Sequence, residues 1–285
     1  DLDLRDYLPY SDWSPDEMFD QLVDLIDQYV RSDVMGRFLH TVFDDPERVR
    51  KFKKAPAAKS HHHAYFGGLL EHCLSMTRLA VRLTRHYAAY YPGFVNQDLV
   101  IAGCILHDIG KLEELGFKRS VHYTTDGKLI GHITQGVELI TAVAEQMEPS
   151  PPKEMLRQLK HLVLSHHGHR EHGSPVEPRT AEAMLLHQID MIDSRMNLFH
   201  SHVEEHRSGL NAEDSWTGYH RAIESDIHAG PPETPDWAAP LTPEFEDLEG
   251  PGALPNTGGP QDDPSDDQQP EADEDDVKTM DLFGH

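Results

Sequence analysis

The sequence predicts an all-α fold. Apolar residues recur at helical spacing through most of the chain, and residues that start and stop helices flank those stretches. No series of alternating segments is long enough to build a sheet. The chain has 285 residues, enough for one sizeable domain or two small ones. No apolar run approaches the roughly 18 residues that span a membrane, so we expect a helical protein without a membrane span.

The helices are predicted from their boundaries. Ser14 is a predicted N-cap, Pro15 takes the first helical position, and Glu17 completes a capping box. Further along, Gly67-Gly68 precedes a long stretch of helical periodicity that Pro92-Gly93 ends. The predicted helices begin near residue 15 and then cover residues 34–43, 69–90, 98–107, 132–147, 152–165 and 180–205.

Residues 121–130 are the one place where a β element is expected. Asp126-Gly127 stands there between alternating apolar and polar residues, a pattern typical of a small hairpin. The only two cysteines, Cys73 and Cys104, both lie in apolar helical segments. They favour core packing in a reducing, cytoplasmic environment over a disulfide framework.

The charge is unevenly distributed. The net charge is −25, with 50 acidic and 25 basic residues, but residues 230–285 hold 16 of the acidic residues and one basic residue. The net charge of the whole chain therefore does not exclude a nucleic-acid substrate for the part before residue 230. Pro, Gly, Asp and Glu dominate that last segment, which predicts disorder. We expect an N-terminal helical segment with a basic strip (1–60), a histidine-rich domain (61–228) and a disordered acidic tail (229–285).

The basic strip lies between Arg48 and Lys59. It has six positive charges and one aromatic residue, Phe52. One interpretation is a phosphate-binding strip that leads to the active site, with Lys53, Lys54 and Lys59 in contact with substrate. The other is a solvated helix face, and the sequence leaves both open.

Histidine is unusually frequent in this sequence, with 21 residues. Thirteen of the 21 lie between His61 and His172. A single histidine in an apolar helix is usually a core or cap residue whose ring nitrogens have hydrogen-bond partners. Without partners, a buried polar group there would cost several kcal/mol. Several such positions in one chain favour a shared set of metal ligands. The His and Asp residues beside or within apolar helical segments are His72, His107, Asp108, His132, His166, His167 and Asp190.

These residue types suit a transition metal. Imidazole and carboxylate together fit Mn, Fe, Co, Ni or Zn better than Ca or Mg. Adjacent helical residues diverge by about 100°, so the doublet His107-Asp108 can offer an imidazole to one metal and a bridging carboxylate to a second. Lys111 follows closely after Gly110, where its ammonium could meet a phosphate oxygen.

The pattern His72 … His107-Asp108 … Asp190 resembles the HD superfamily of metal-dependent phosphohydrolases. The additional His132 and His166-His167 resemble its variants with a second metal. Within the superfamily, the chain is similar to the YhaM-type 3′→5′ exoribonucleases from about Tyr7 to Asn197. The motifs that carry this similarity are Ala55-Pro56-Ala57-Ala58-Lys59, His62-His63-Ala64-Tyr65-Phe66-Gly67-Gly68, Leu106-His107-Asp108-Ile109-Gly110-Lys111, Gly131-His132-Ile133 and Ser165-His166-His167-Gly168.

The resemblance implies an α-helical HD domain over residues 61–228, with one or two divalent ions, Mn²⁺ first and Fe²⁺, Co²⁺ or Ni²⁺ as alternatives. Asp193 lies one helical turn beyond Asp190 and is its rival as the last ligand. The implied ligands are His72, His107, Asp108 and Asp190 for a first metal, and His132 and His166 for a second, with Asp108 bridging and His167 as a substitute.

The resemblance also implies roles in the reaction. Lys111 would stabilise charge on the phosphoryl group, and Asp108 and His132 would act with it in catalysis. His62 and His63 stand just before Gly67, where they either reach the substrate or cap the next helix, and His167 and Lys111 are the other candidate substrate contacts. That family typically carries an OB-fold module ahead of its HD domain, and this sequence begins where the module would end. We expect either that the module was trimmed or that the protein lacks it.

The function expected from the resemblance is 3′→5′ exoribonuclease activity on single-stranded RNA, with single-stranded DNA as an alternative substrate. Metal-activated water would release 5′-nucleotides. One alternative is an HD hydrolase of small nucleotides, although the absence of a Gly-Tyr-Pro tripeptide weighs against a cyclic-dinucleotide phosphodiesterase. Another is a non-catalytic HD scaffold or nucleic-acid adaptor.

The end of the tail carries one more motif. Thr279-Met280-Asp281-Leu282-Phe283 resembles the short peptide by which bacterial proteins hold the replication sliding clamp, with Thr in place of the usual leading Gln. A disordered linker would let such an apolar anchor reach a pocket on a partner. The alternative is an apolar end on a solubilising tail.

Overall fold

The computed structural model describes residues 10–11, 13–59, 63–116, 121–209 and 215–230, except for the side chain of residue 208. All of them belong to a unit of residues 1–234; the second unit, 235–285, lies outside the described residues. His62, the predicted acidic tail beyond residue 230 and the motif Met280–Phe283 therefore fall outside the description.

The described residues form helices and one very short sheet, which confirms the all-α prediction. Strands β1 (Leu115–Gly116) and β2 (His122–Tyr123) pair in antiparallel fashion. The helices are α1 (Pro15–Tyr29), α2 (Asp33–Val42), α3 (Pro46–Phe52), α4 (Gly68–Tyr90), α5 (Gln97–Leu106), α6 (Lys111–Glu114), α7 (Thr125–Leu129), α8 (His132–Gln146), α9 (Lys153–Ser165) and α10 (Ala181–His206).

Side-chain caps start several of the helices, including α1, α5 and α10. The hydroxyl of Ser14 accepts the backbone N–H of Glu17 at the start of α1, as the sequence predicts. Asn96 accepts the N–H of Leu99 to begin α5, and Thr180 accepts that of Ala183 to begin α10. Each cap satisfies an N–H group that has no partner within its own helix.

The hairpin predicted around Asp126-Gly127 is misplaced. A small antiparallel pair exists, but it joins Leu115 to Tyr123, and Asp126-Gly127 lies inside α7. The hydroxyl of Thr124 accepts the N–H of Gly127 at 2.9 Å and so starts this helix. A Cβ at Gly127 would come within 2.3 Å of the Glu114 carbonyl oxygen, so the glycine is there for close backbone approach and not for a turn.

Helix α5 lies at the centre of the core. Residues 100–106 are all buried, which fits a helix that is apolar on every side. Gly103 lets α9 and α10 approach it, because a Cβ there would lie 3.0 Å from Leu186 and 3.2 Å from Leu162. Cys73 and Cys104 are fully buried free thiols, as expected for core packing, and burial raises the pKa of both. The C-terminal end of this buried helix is where the polar site begins.

The buried residues of α1–α3 belong to the same core cluster as those of α4, α5 and α8–α10. The domain boundaries at residues 60 and 228 stay a prediction. Among the described residues, no helix is both long enough and apolar enough to cross a membrane.

Candidate metal centre

Histidine and aspartate side chains from separate parts of the chain meet at the end of α5. Three helices, and the turns that follow two others, supply these side chains. They are His72 on α4, His107 and Asp108 just beyond α5, His132 at the first position of α8, His166 just beyond α9, and Asp190 on α10. The sequence predicts all six as metal ligands, and the structure brings them together.

The carboxylate of Asp108 lies at the centre of this group. Its Oδ1 atom is 3.4 Å from His132 Nε2 and 3.6 Å from His166 Nε2. Its Oδ2 atom is 3.2 Å from His107 Nε2 and 2.5 Å from Lys111 Nζ. The residue is 3% exposed. Asp108 thus faces imidazoles from three different elements, as a bridging carboxylate must.

Hydrogen bonds at Nδ1 decide which nitrogen of each imidazole is free to bind a metal. His107 Nδ1 donates to the Cys104 carbonyl at 3.1 Å, and His166 Nδ1 to the Val163 carbonyl at 2.7 Å. His132 Nδ1 donates to Glu114 Oε1 at 3.1 Å. Because a carbonyl oxygen only accepts, the proton lies on Nδ1, and Nε2 keeps its lone pair for a metal.

Four buried polar atoms at the centre lack a hydrogen-bond partner among the described residues. They are the Nε2 atoms of His107, His132 and His166, and Oδ1 of Asp108. Leaving such atoms unsatisfied costs about 1–3 kcal/mol each, so their convergence calls for a shared cation. These residues fit a divalent metal, since neutral imidazoles and an ionised carboxylate are its usual ligands.

His72 lies between the two rival aspartates of α10. Its Nδ1 atom donates to Asp193 Oδ2 at 2.7 Å, and its Nε2 atom is 3.4 Å from Asp190 Oδ1. Asp193 also accepts the hydroxyl of Ser75. Although burial opposes a charged ring, the hydrogen bonds to both aspartates raise the pKa of His72 to about 9. Asp190 therefore faces the Nε2 atom of His72, and Asp193 faces its Nδ1 atom on the opposite side of the ring.

The potential ligands of this centre fall into three neighbouring groups, two of which share His72. The members of each group offer atoms within 4.8 Å of one another, and the groups are His72, His107 and Asp108; His63, His72 and Asp193; and His132, His166 and His167. The rings of His166 and His167 are 4.1 Å apart between centroids. Since Asp108 Oδ1 faces members of the last group, the arrangement has room for one cation or two.

The protonation states of Asp108, Asp190 and His166 suit a cation, whereas His72, with its raised pKa, must lose a proton before its Nε2 atom can bind one. Burial opposes ionisation of Asp108, but Lys111 and His107 hold its pKa well below the usual range. The pKa of Asp190 is likewise lowered against burial, first by its hydrogen bond to His72. Burial, reinforced by His107, holds the pKa of His166 well below its usual value, so this imidazole is neutral at pH 7. Ionised carboxylates and neutral imidazoles are the forms that bind metal.

Gly110 sets how closely the His107-Asp108 turn approaches α8. A Cβ at this position would come within 2.0 Å of the His132 carbonyl oxygen and 2.7 Å of the Gly136 nitrogen. Only glycine permits that contact, and the contact brings His132 to Asp108.

Sequence reasoning missed two residues that hold ligands in place. Glu114 accepts both the backbone N–H and the Nδ1–H of His132, each at 3.1 Å. His187 Nδ1 donates to the His166 carbonyl at 2.7 Å. Nothing in the sequence separates Glu114 from its neighbour Glu113, because the difference is a tertiary contact.

The predicted substrate residues lie in different surroundings. His63 is buried, with its Nε2 3.8 Å from Asp193, and His167 is half-buried beside His166. Lys53 pairs with Asp16 at 2.7 Å. Lys54 and Lys59 are exposed.

The other members of the basic strip are engaged within the chain. Arg48 donates to a backbone carbonyl, Arg50 pairs with Glu47, and Lys51 pairs with Glu113. Part of the positive charge of the basic strip is therefore used in contacts within the chain. Whether Lys53, Lys54 and Lys59 bind substrate stays a prediction.

A family model for the HD domain matches residues 69–195. That range contains every residue of the candidate metal centre. The chain contains an HD domain. The HD match and the His/Asp groups together indicate a centre for a divalent metal. A second family model, TraI_2 ("Putative helicase"), matches residues 20–91 and overlaps the start of the HD domain.

The HD domain and its flanks resemble curated proteins named 3′-5′ exoribonuclease YhaM. The protein of Listeria innocua is 42% identical over 185 residues, which cover 64% of this chain and 55% of the relative. That of Oceanobacillus iheyensis is 43% identical over 154 residues, or 54% and 46% of the two chains. That of Bacillus subtilis is 34% identical over 210 residues, or 73% and 63%.

The chain is thus similar to the YhaM proteins over its HD domain and flanks, and it spans about half the length of the first curated relatives it matches. No solved structure matches it.

Proposed function

We propose that this HD domain hydrolyses the phosphodiester bonds of single-stranded RNA from the 3′ end, with a divalent metal, and releases 5′-nucleotides. The observation that carries the proposal is the convergence of three Nε2 atoms and Asp108 Oδ1, all buried and, among the described residues, without a hydrogen-bond partner. The names of the YhaM relatives support the substrate and the direction. The cytoplasmic location expected from the cysteines belongs to the same proposal.

His72, His107, Asp108 and Asp190 would hold the first metal, and Asp108 would bridge to a second at His132 and His166. Asp190 is favoured over Asp193 because it faces His72 Nε2, whereas Asp193 accepts the Nδ1 proton. A carboxylate behind a ligating imidazole fixes its tautomer and orientation. Mn²⁺ is the proposed ion, with Fe²⁺, Co²⁺ and Ni²⁺ as the alternatives that the ligand types allow.

The chemistry that a divalent metal supplies when bound is Lewis acidity, which lowers the pKa of water towards neutrality and offsets charge on a phosphoryl group. The protein provides the rest. Glu114 holds the proton of His132 on Nδ1, and Asp193 does the same for His72. Lys111 donates to Asp108 Oδ2 and places a buried positive charge at the centre, where it can stabilise an anionic phosphoryl oxygen.

A second candidate is hydrolysis of small nucleotides. It is favoured by the contacts of the basic strip, since Arg48, Arg50, Lys51 and Lys53 all have acceptors within the chain. A strip engaged in this way has less charge to offer a long polyanion. The two candidates share the metal centre and differ in whether the surface around it binds a long RNA strand.

The deciding experiment is hydrolysis of single-stranded RNA labelled at its 3′ or 5′ end, beside single-stranded DNA and free nucleotides, in Mn²⁺. We expect the 5′-labelled RNA to shorten stepwise and the 3′ label to leave first as a mononucleotide. The His107→Ala variant should be inactive, and the control His86→Ala, at an exposed position of α4, should be fully active. Cleavage of free nucleotides alone would establish the second candidate. If neither nucleic acid nor free nucleotides are hydrolysed, the proposal is overturned in favour of a non-catalytic scaffold.

A further inference from the structure

A separate group of potential ligands lies at the C-terminal end of α10. His202, Glu205 and His206 each offer an atom within 4.8 Å of the other two. Residues three and four positions apart share one face of a helix, which explains how this spacing brings them together. His202 is nine positions beyond Asp193, roughly 14 Å along the helix at 1.5 Å per residue. The group is therefore distinct from the HD metal centre.

The hydrogen bonds of both histidines leave a lone pair for a metal. His202 Nε2 donates to the Gly218 carbonyl at 2.8 Å, and His206 Nδ1 donates to the His202 carbonyl at 2.9 Å. Carbonyl oxygens only accept, so the free lone pairs are on His202 Nδ1 and His206 Nε2. His202 is only 5% exposed, and within the described part of the chain its Nδ1 has no hydrogen-bond partner. A cation would satisfy this buried acceptor, which is otherwise costly.

We propose that His202, Glu205 and His206 bind a zinc ion. Two imidazole nitrogens and one carboxylate oxygen form a recurrent zinc ligand set, with a fourth position left for water. Calcium and magnesium prefer oxygen ligands, which this group does not supply in number. The ligand chemistry thus favours a transition-metal ion over calcium and magnesium, and zinc is the ion that we propose and test.

The site links α10 to the segment of residues 215–228. His202 donates to Gly218 in that segment, and its ring lies 4.7 Å from the ring of His220, centroid to centroid. A metal on one imidazole nitrogen makes the N–H at the other a stronger donor. Zinc at Nδ1 of His202 therefore strengthens the bond to Gly218 and holds the segment on the helix.

The test is the number of zinc ions bound per full-length chain, measured by native mass spectrometry after incubation with Zn²⁺. The double variant E205Q/H206A should bind one ion fewer than wild type. His200→Ala is the matched control, because His200 is an exposed histidine on the same helix outside the group. The HD centre is identical in all these chains, so its zinc cancels in the difference. An equal count in wild type and double variant overturns the proposal.

Two further measurements guard against a folding artefact. Glu205 is exposed, so E205Q alone should retain the far-UV circular dichroism of wild type and still bind zinc more weakly. Amide hydrogen exchange in residues 215–228 should slow when zinc is added to wild type or His200→Ala, and stay unchanged in E205Q/H206A. If the rate of amide exchange in residues 215–228 of wild type does not change when zinc is added, the proposed link to the segment is contradicted.

Discussion

At the residue scale, the centre depends on the atoms behind its ligands. The sequence does not mark Glu114 and marks Asp193 only as a rival ligand, yet each accepts the Nδ1 proton of a candidate ligand imidazole. Partners of this kind orient the ring and make its other nitrogen more basic. The sequence could predict which His and Asp residues converge at the centre, because these residue types stand out in apolar helices. It could not separate Asp190 from Asp193, since both lie on one helix and only the position of His72 distinguishes them.

Asp190 and Asp193 should respond differently to the same substitution. We expect Asp193→Asn to weaken Mn²⁺ binding about 10–100-fold, the usual cost of losing a group behind a ligand. Asp190→Asn should weaken it more and abolish hydrolysis, because it removes a ligand oxygen. Mn²⁺ titration followed by electron paramagnetic resonance measures both. If Asp193→Asn is the more damaging, the two roles are reversed.

Glu114→Ala tests the support of His132. The change removes the acceptor of the His132 ring and that of its backbone N–H at the start of α8. We expect Mn²⁺ affinity to fall about 10–100-fold and the free energy of unfolding to fall by about 1 kcal/mol, as for a lost helix cap. Glu113→Ala is the control, since Glu113 is exposed and pairs only with Lys51 among the described residues. Equal effects of the two variants on Mn²⁺ affinity would rule out this role for Glu114.

At the element scale, helices were predictable and close approaches were not. Caps and helical periodicity placed the start of α1, α4 and α8 within a residue or two, because those signals are local. Asp126-Gly127 misled because a glycine needed for backbone contact looks the same in sequence as one needed for a turn. Gly127 contacts the backbone of Glu114, which is 13 residues earlier in the chain, so no local sequence pattern reveals the contact.

Gly110→Ala tests the contact between the His107-Asp108 turn and α8. The added Cβ would meet backbone atoms of His132 and Gly136, so one element must shift. We expect a loss of about 1–3 kcal/mol in the free energy of unfolding, as for other overpacking changes, together with weaker Mn²⁺ binding. Gly36→Ala is the control, because its Cβ would meet nothing within 4 Å and it lies inside α2. Gly110→Ala with wild-type stability and metal affinity would mean that the contact does not position His132.

At the scale of the whole molecule, the net charge of −25 says little about the catalytic surface. Most of it belongs to residues 230–285, and the carboxylates of the metal centre are compensated when cations bind. The basic strip was predictable as a cluster of charge, but its ion pairs with Asp16 and Glu113 depend on how α1, α3 and α6 pack.

Removal of residues 231–285 should leave hydrolysis intact. The composition of this segment predicts disorder, and every residue assigned to the metal centre precedes it. We expect kcat/KM on RNA within about twofold of the full chain, less than 0.5 kcal/mol in transition-state stabilisation. A large loss of activity would assign the tail a part in catalysis.

The most direct test of the metal centre is anomalous diffraction from a crystal grown with Mn²⁺ and measured near the manganese absorption edge. We predict a peak within ligand distance of Asp108 and of the Nε2 atoms of His72 and His107, on the side of His72 that faces Asp190. A further peak beside His132 and His166 would add the second metal. A crystal that binds Mn²⁺ elsewhere and shows no peak among these residues would contradict the account.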